Sequence, residues 1–274
     1  MRIREVLLRG RSELAGVSAT PGLDVELLLA DTLGQPRSFV LARPEYLLST
    51  AEQRAIGVVL QQRRRGVPVA QLLGQVEFFG REFRVSPDVL VPRPETEHLV
   101  EAALPLLQNG GTALDIGTGS GCIAVSIARH ASAKVIATDI SPAALAVARE
   151  NARLHDVHIE FLQADLLAGI DAGSLTEKPI VILANLPYVP AAERHASTAH
   201  EPTGAIESGV DGLDHYRRFF AQLTDFPFDH CLFEFHPPQQ HQLKTLLQRR
   251  FPHHALLFHR DYAGLWRYGV ISLR

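Results

Sequence analysis

Beyond Pro94, short apolar runs alternate with longer stretches of helical periodicity. The strand-like runs are 112–116, 134–138, 158–162, 180–184, 230–235 and 255–258, and the helical stretches are 95–107, 121–130, 142–154, 213–223 and 239–250. Because parallel strands need crossover helices, this alternation predicts an α/β domain built on a parallel, doubly wound sheet. Pro105 is expected to kink or end the first of these helices.

The sequence before this region favours helices. Apolar residues recur at helical spacing from Ile3, and Asp24 is placed as the N-cap of a second helix. Ser49 and Glu52 have the spacing of a capping box, and the run 63–66, Arg-Arg-Arg-Gly, supplies the cations and the glycine that end a helix. We therefore predict a small bundle of three helices.

A short segment of different pattern joins the two regions. Apolar residues flank a turn at Gly80-Arg81, which predicts a β-hairpin, and Pro87, Pro92 and Pro94 follow it. The predicted organisation is a helical domain over 1–72, a hairpin linker over 73–92 and an α/β domain over 93–274.

Composition excludes several classes of protein. With 27 Lys and Arg against 30 Asp and Glu, the formal charge is −3, so stable nucleic-acid binding by broad phosphate neutralisation is not expected. The 2 cysteines are too few for a disulfide framework, and no apolar run is long enough for a signal peptide or membrane helix. We expect a soluble, cytoplasmic monomer.

Histidine is abundant, at 13 residues, but its spacing does not suggest a metal site. Neither the pair His253 and His254 nor the pair His195 and His200 has carboxylates or thiols placed to complete one. No metal is expected.

The strongest local motif is a glycine-rich loop where the first strand of the alternating region turns into a helix. It comprises Gly117, Thr118, Gly119, Ser120 and Gly121. Glycines allow backbone N–H groups to approach a ligand closely, and a helix N-terminus favours negative charge. The pattern is G-x-G-x-G, without the third glycine of a dinucleotide fingerprint, which favours S-adenosylmethionine over NAD.

Two carboxylates follow the next strands. Asp139 ends the second strand, about 20 residues after the loop, where it can accept both hydroxyls of a ribose. Asp165 follows the third strand, at the edge of the sheet where ligands of such folds bind. Each could instead serve a turn or cap a helix, but their placement on successive strand ends favours a cofactor site.

The fourth strand runs into Asn185, Leu186, Pro187 and Tyr188. An amide nitrogen is a poor nucleophile because its lone pair is delocalised. An Asn oxygen and a backbone carbonyl can accept its two N–H bonds and aim the lone pair at a methyl donor, while an aromatic ring provides a flat wall. The alternative interpretation is a strand-ending turn with a buried tyrosine.

These residues resemble the class I S-adenosylmethionine-dependent methyltransferases, and more closely the glutamine N5-methyltransferases of bacterial peptide chain release factors. The resemblance extends over nearly the whole chain. It rests on Asp-Val-Glu-Leu-Leu-Leu at 24–29, Gly-Val-Pro-Val-Ala at 66–70, Phe-Phe-Gly at 78–80, Val-Ser-Pro at 85–87, Pro-Arg-Pro-Glu-Thr-Glu at 92–97, the loop at 115–122, Glu-Pro at 201–202 and Gly-Val-Asp-Gly-Leu at 209–213.

The resemblance implies a Rossmann-like sheet, a helical N-terminal domain that grips a protein substrate, and an accepting glutamine in a Gly-Gly-Gln loop. Residues 117–121 would hold the methionine part of the cofactor, Asp139 its ribose, and Asp165 with Leu166 its adenine. Residues 185–188 would hold the substrate glutamine, with Asn185 also near the cofactor.

The sequence departs from the family at two places. Leu186 replaces the first proline of Asn-Pro-Pro-Tyr, which frees Asn185 from the restriction of preceding a proline. Glu-Phe-His-Pro at 234–237 stands where Glu-Ile-Gly is usual, so Glu234 is not assigned to the site.

Two alternative functions remain. Asn-Leu-Pro-Tyr is typical of ribosomal RNA adenine N6-dimethyltransferases, although the acidic charge, the helical N-terminus and the 92–97 segment oppose that interpretation. A cofactor-binding module with a decayed catalytic turn is the non-enzyme alternative.

Overall fold

The structure, a computed structural model, describes residues 1–193 and 198–273. Its described part divides into two compact units, one of residues 1–75 with 198–200, the other of residues 76–193 with 201–273. The three-part division at residues 72 and 92 stays a prediction. No helix in the described part of the chain is long and apolar enough to span a membrane.

The first unit contains five helices, two more than predicted. They are α1 (Ile3–Leu14), α2 (Pro21–Leu33), α3 (Arg37–Ala42), α4 (Thr50–Arg64) and α5 (Val69–Leu73). The added helices, α3 and α5, are short, at 6 and 5 residues, and give little periodic signal. Apolar side chains of α1, α2 and α4 form the core of this unit.

The helix ends differ in how well the sequence specifies them. Ser49 and Glu52 form the predicted capping box of α4. The assignment of Asp24 as an N-cap is wrong, because α2 begins three residues earlier at Pro21. Asp24 instead accepts a hydrogen bond from Arg63 at 2.7 Å, and both side chains are largely buried. Arg63 therefore ties α4 to α2.

A hairpin of β1 (Gln75–Phe78) and β2 (Arg81–Arg84) follows, in which Gln75 is counted with the first unit and the remaining residues with the second. Its turn lies at Phe79 and Gly80, one residue before the predicted position, and both residues have positive φ. Two such residues in succession match the twist of a two-residue hairpin turn.

The helices and strands of the α/β region follow the predicted alternation closely. They are α6 (Glu97–Ala103), β3 (Thr112–Ile116), α7 (Cys122–His130), β4 (Lys134–Asp139), α8 (Pro142–Leu154), β5 (Glu160–Gln163), β6 (Ile180–Ala184), α9 (Asp214–Leu223), β7 (His230–Glu234), α10 (Gln240–Arg250), β8 (Ala255–Arg260) and β9 (Trp266–Ser272). One-turn 3₁₀ segments, Pro94–Thr96 and Leu104–Leu107, flank α6, and Pro105 lies in the second of them, so the helix ends early as expected.

In the described part of the chain, strands β3 to β9 form one sheet in the order β5-β4-β3-β6-β7-β9-β8. The first five strands in this order are parallel to one another, but β9 is antiparallel to both β7 and β8. The predicted parallel, doubly wound sheet is confirmed in these five strands, and the antiparallel strand β9 at this edge is an addition to the prediction. From β3 the chain adds β4 and β5 on one side of the sheet, and it then adds β6 on the other side of β3. The direction of strand addition reverses between β3 and β6, which makes this a topological switch point.

Candidate active site

A cavity of about 260 Å³ opens at the carboxyl ends of the strands beside this switch point. Ten of the twelve predicted site residues line it: Gly117, Thr118, Gly119, Ser120, Asp139, Asp165, Leu166, Asn185, Leu186 and Pro187. Gly121 and Tyr188 are not among the described residues that line the cavity. The structure thus brings most of the predicted cofactor and acceptor residues to one place.

The glycine loop is fastened to the neighbouring strand. The backbone N–H groups of Gly117 and Thr118 both donate to the carbonyl of Thr138, at 2.9 and 2.8 Å. Gly117 and Gly119 have φ of +72° and +55°, a region that L side chains rarely adopt. These two positions therefore require glycine for the loop to keep its shape.

Gly121 has a different role from the other glycines. It is the N-cap of α7, with φ of +82°, and a Cβ at this position would lie 3.0 Å from the Cβ of Ala148 in α8. The absence of a side chain thus lets α7 and α8 pack closely. Its predicted contact with the cofactor stays a prediction.

Asp139 holds the loop and remains able to bind a ligand. Its carboxylate accepts hydrogen bonds from the N–H of Gly119 at 2.9 Å and from that of Ser141 at 2.8 Å. Ser141, not Asp139, caps α8 through its hydroxyl. Burial raises the pKa of Asp139. A carboxylate has about four acceptor positions, so acceptor capacity stays available for a ligand hydroxyl.

Asp115, at the base of the loop, is buried in the same region. One carboxylate oxygen accepts from the hydroxyl of Thr118 at 2.6 Å and from the N–H of Ala124 at 3.1 Å. The other oxygen has no hydrogen-bond partner among the described residues. Burial raises the pKa of Asp115 to about 7.

The cavity end beside Asp165 contains two residues that the sequence analysis missed. Arg218 of α9 forms an ion pair with Asp165, and His215, one turn earlier on α9, also lines the cavity. Burial, followed by the positive charge of Arg218, lowers the pKa of His215. The amphipathic pattern of 213–223 predicted the helix that carries both residues, but the sequence did not indicate which face of this helix lines the cavity.

Leu186 connects the Asn-Leu-Pro-Tyr turn to the glycine loop. Its side chain is buried, and its Cδ2 atom lies 3.0 Å from the point that a Cβ on Gly117 would occupy. The residue that departs from the family motif therefore packs directly against the loop.

Asn185 and Tyr188 are anchored through side chains outside the turn. The Asn185 amide nitrogen donates to the Thr96 hydroxyl at 3.0 Å, and the Tyr188 hydroxyl donates to Glu234 at 2.8 Å. The Tyr188 ring stacks on His236, with 6.5 Å between centroids and 11° between planes. Burial and the neighbouring Glu234 carboxylate raise the pKa of Tyr188.

Glu234, which was not predicted as a site residue, contacts both Thr96 and Tyr188. It ends β7, is fully buried and accepts from the Thr96 hydroxyl at 2.7 Å as well as from Tyr188. Burial raises its pKa. The signal for Glu234 was its position at the end of a predicted strand.

The Pro-Arg-Pro segment is fixed at the cavity by a buried acid. Glu201 accepts from the N–H of Val91 at 2.8 Å and forms an ion pair with Arg93, which lines the cavity. Both motifs that carried the family resemblance, Pro-Arg-Pro and Glu-Pro, thus meet through these residues.

No group of three His, Cys, Asp or Glu side chains is placed to hold a metal within residues 1–193 and 198–273. His195, one of the histidines weighed as a ligand, lies outside the described residues.

The fold and the residues that line the cavity define a class of protein. Loop glycines of positive φ, a carboxylate with free acceptor positions and an adjoining amide turn all fit S-adenosylmethionine. Residues 113–200 match the methyltransferase domain, and residues 5–74 match the PrmC N-terminal domain. The protein is an S-adenosylmethionine-dependent methyltransferase.

Similar proteins identify the family. The chain is 35% identical over 279 residues to the release factor glutamine methyltransferase of Coxiella burnetii, with 97% of each chain covered. It is 43% identical to that of Burkholderia pseudomallei, over 78% of this chain and 79% of the relative. The chain belongs to the release factor glutamine methyltransferase family.

A solved structure supports the fold. The T. thermophilus 16S rRNA N2 G1207 methyltransferase, in complex with AdoMet and guanosine, matches with a TM-score of 0.53 at 16% identity. The match covers 73% of this chain and 50% of that one. At this identity the likeness concerns the fold alone.

Proposed function

We propose that the enzyme methylates the side-chain amide nitrogen, N5, of the glutamine in the Gly-Gly-Gln loop of peptide chain release factors. The observation that carries this proposal is the contact of the acceptor turn with the glycine loop through Leu186, with Asn185 and Pro187 lining the same cavity. The release factor comes from the names of the relatives.

The division of roles is the one that the family resemblance implies for these residues. Residues 117–121 hold the methionine part of the cofactor, Asp139 the ribose, and Asp165 with Leu166 the adenine. When bound, S-adenosylmethionine supplies an electrophilic methyl group on a sulfonium. Residues 185–188 hold the glutamine, and residues 1–72 grip the rest of the protein substrate.

The chain orients the nucleophile and supplies no base. The Asn185 amide oxygen and the Leu186 carbonyl accept the two N–H bonds of the glutamine, so that its nitrogen lone pair faces the methyl group. Positive charge develops on nitrogen during transfer, and these two oxygens stabilise it. As the new N–C bond forms, the bond between the methyl group and the sulfonium breaks and leaves a neutral thioether. The nitrogen then releases a proton to water, so no residue needs to remove it beforehand.

The test is transfer of a labelled methyl group to a purified release factor. We expect label in the wild-type release factor and none when the Gly-Gly-Gln glutamine is replaced by alanine. The Asn185→Ala enzyme, which keeps the glycine loop, Asp139 and Asp165, should label the release factor far more slowly than wild type. Label in ribosomal RNA with an unlabelled release factor would refute the proposal and favour the RNA alternative.

A further inference from the structure

A chain of hydrogen bonds runs from a buried carboxylate to the acceptor amide. The Thr96 hydroxyl donates to Glu234 at 2.7 Å, and the Asn185 amide nitrogen donates to the oxygen of the same hydroxyl at 3.0 Å. Glu234 is 0% exposed and Thr96 is 2% exposed, so water does not replace either partner. The arrangement joins β7 to the 3₁₀ turn Pro94–Thr96 and to the end of β6.

The direction of these bonds determines how the amide is turned. An ionised carboxylate only accepts hydrogen bonds, and a threonine hydroxyl has a single hydrogen to donate. Because Thr96 gives that hydrogen to Glu234, its oxygen can only accept, and Asn185 must present its NH2 group to it. The Asn185 oxygen is then left to face the cavity side of the turn.

We infer that Glu234 and Thr96 are positioning residues for methyl transfer, which select the one orientation of the Asn185 amide whose oxygen can accept an N–H of the substrate amide. This inference rests on the proposed function. An Asn side chain has nearly the same shape in both orientations, so packing alone selects between them weakly. With the amide reversed, its NH2 group would face the substrate N–H, and the substrate would lose its acceptor.

The same carboxylate also fixes the other end of the turn. Its second oxygen accepts from the Tyr188 hydroxyl at 2.8 Å. Glu234 thus sets both the amide and the aromatic ring of the acceptor turn through its two oxygens.

The charge of Glu234 is essential to this arrangement. The groups that face it are Tyr188, Tyr216 of α9, Arg267 of β9 and Glu95 of the 3₁₀ turn. Arg267 favours the ionised form, whereas burial and the Glu95 charge oppose it. A protonated Glu234 could donate to Thr96, whose hydrogen would then be free to turn towards Asn185 and permit the reversed amide.

The experiment compares variants of the full enzyme on release factor at saturating cofactor. Thr96→Val removes the directional constraint while keeping volume. Glu234→Gln relaxes it, because an amide can donate to Thr96 as well as accept from it. Thr96→Ser retains the hydroxyl, and Thr112→Val removes a buried hydroxyl that, among the described residues, donates to the Glu177 carbonyl at the end of β3 away from the glycine loop. Measurements are kcat, KM for release factor, and cofactor Kd by calorimetry.

We expect kcat to fall about tenfold or more for Thr96→Val and Glu234→Gln, with cofactor Kd within about twofold of wild type. Thr96→Ser and Thr112→Val should keep kcat within about twofold of wild type. On acidification, the wild-type kcat should fall as Glu234 is protonated, and Glu234→Gln should lack that limb. An unchanged limb in Glu234→Gln would overturn the inference.

A double-mutant comparison separates positioning from general structural damage. If Thr96 acts through Asn185, Thr96→Val should change kcat less than about twofold in an Asn185→Ala background. Equal losses in both backgrounds would overturn the inference while leaving the proposed function in place. Failure of the wild-type enzyme to label any release factor would overturn both.

Discussion

Two glycines of the same loop should respond to alanine in opposite ways. At Gly119, φ is +55° and a Cβ would meet no atom within 4 Å, so alanine costs about 1–2 kcal/mol of backbone strain. At Gly121, φ is +82° and the Cβ would lie 3.0 and 3.1 Å from Cβ and Cα of Ala148. The same strain is then joined by about 1–3 kcal/mol of overpacking.

The expected loss in free energy of unfolding is therefore about 2–5 kcal/mol for Gly121→Ala and about 1–2 kcal/mol for Gly119→Ala. Cofactor affinity should follow the reverse order, because Gly119 lines the cavity and an added methyl group would occupy space beside the ligand. We expect at least a tenfold loss of affinity for Gly119→Ala, equivalent to about 1.4 kcal/mol, and a smaller loss for Gly121→Ala.

Urea unfolding without cofactor measures the first quantity, and calorimetric titration with S-adenosylmethionine measures the second. The two alanine variants serve as controls for each other, since each adds one methyl group to the same loop. The reasoning is refuted if Gly119→Ala is the less stable variant, or if Gly121→Ala loses more cofactor affinity than Gly119→Ala.

Four further variants test separate parts of the site. Asn185→Ala should lower kcat about a hundredfold with little change in cofactor Kd, whereas Asp139→Ala should weaken cofactor binding more than turnover; equal losses in both would contradict the division of roles. Leu186→Pro should lower the melting temperature, because it empties buried space beside Gly117, and appreciable wild-type turnover in the same methylation assay would exclude a decayed catalytic turn. The Asp115 carboxyl has a pKa of about 7 in the folded state against 3.8 for the ordinary group, so folding stability from this residue falls as pH rises from about 4 to 7. Urea unfolding of Asp115→Asn at several pH values should show no such fall in the free energy of unfolding. The same pH dependence of that free energy in wild type and variant would contradict the prediction.

Sequence predicted best what depends on local patterns. Strands β3 and β6 begin and end at the predicted residues, and both are buried along their whole length. The strand β9 was missed, because a hairpin after β8 breaks the strand–helix alternation on which the prediction rested. The turn signal at Asp261–Gly264, where the Gly264 N–H donates to the Asp261 carbonyl, was present in the sequence.

The candidate site was predictable to the extent that strand ends determine it. The glycine loop, Asp139 and the Asn185 turn all follow strands whose carboxyl ends meet at one edge of the sheet. Glu234 and Thr96 could not be paired in this way, since 138 positions separate them and only the folded chain brings them together. Thr96 lies just before α6 and Glu234 at the end of β7, and no local sequence pattern indicates that these two positions are neighbours.

The structure also explains how leucine can stand at 186, where a proline would have restricted Asn185. The Tyr216 hydroxyl, buried beneath the turn, accepts from the Leu186 N–H at 3.4 Å and donates to the carbonyl of Glu234. A proline at 186 has no N–H, so the first of these bonds exists only because leucine is there. Leu186 is in turn buried against the glycine loop, while Asn185 is held by Thr96. Tertiary contacts on each side of the Asn185–Leu186 peptide thus provide an orientation that the family motif obtains from the proline ring.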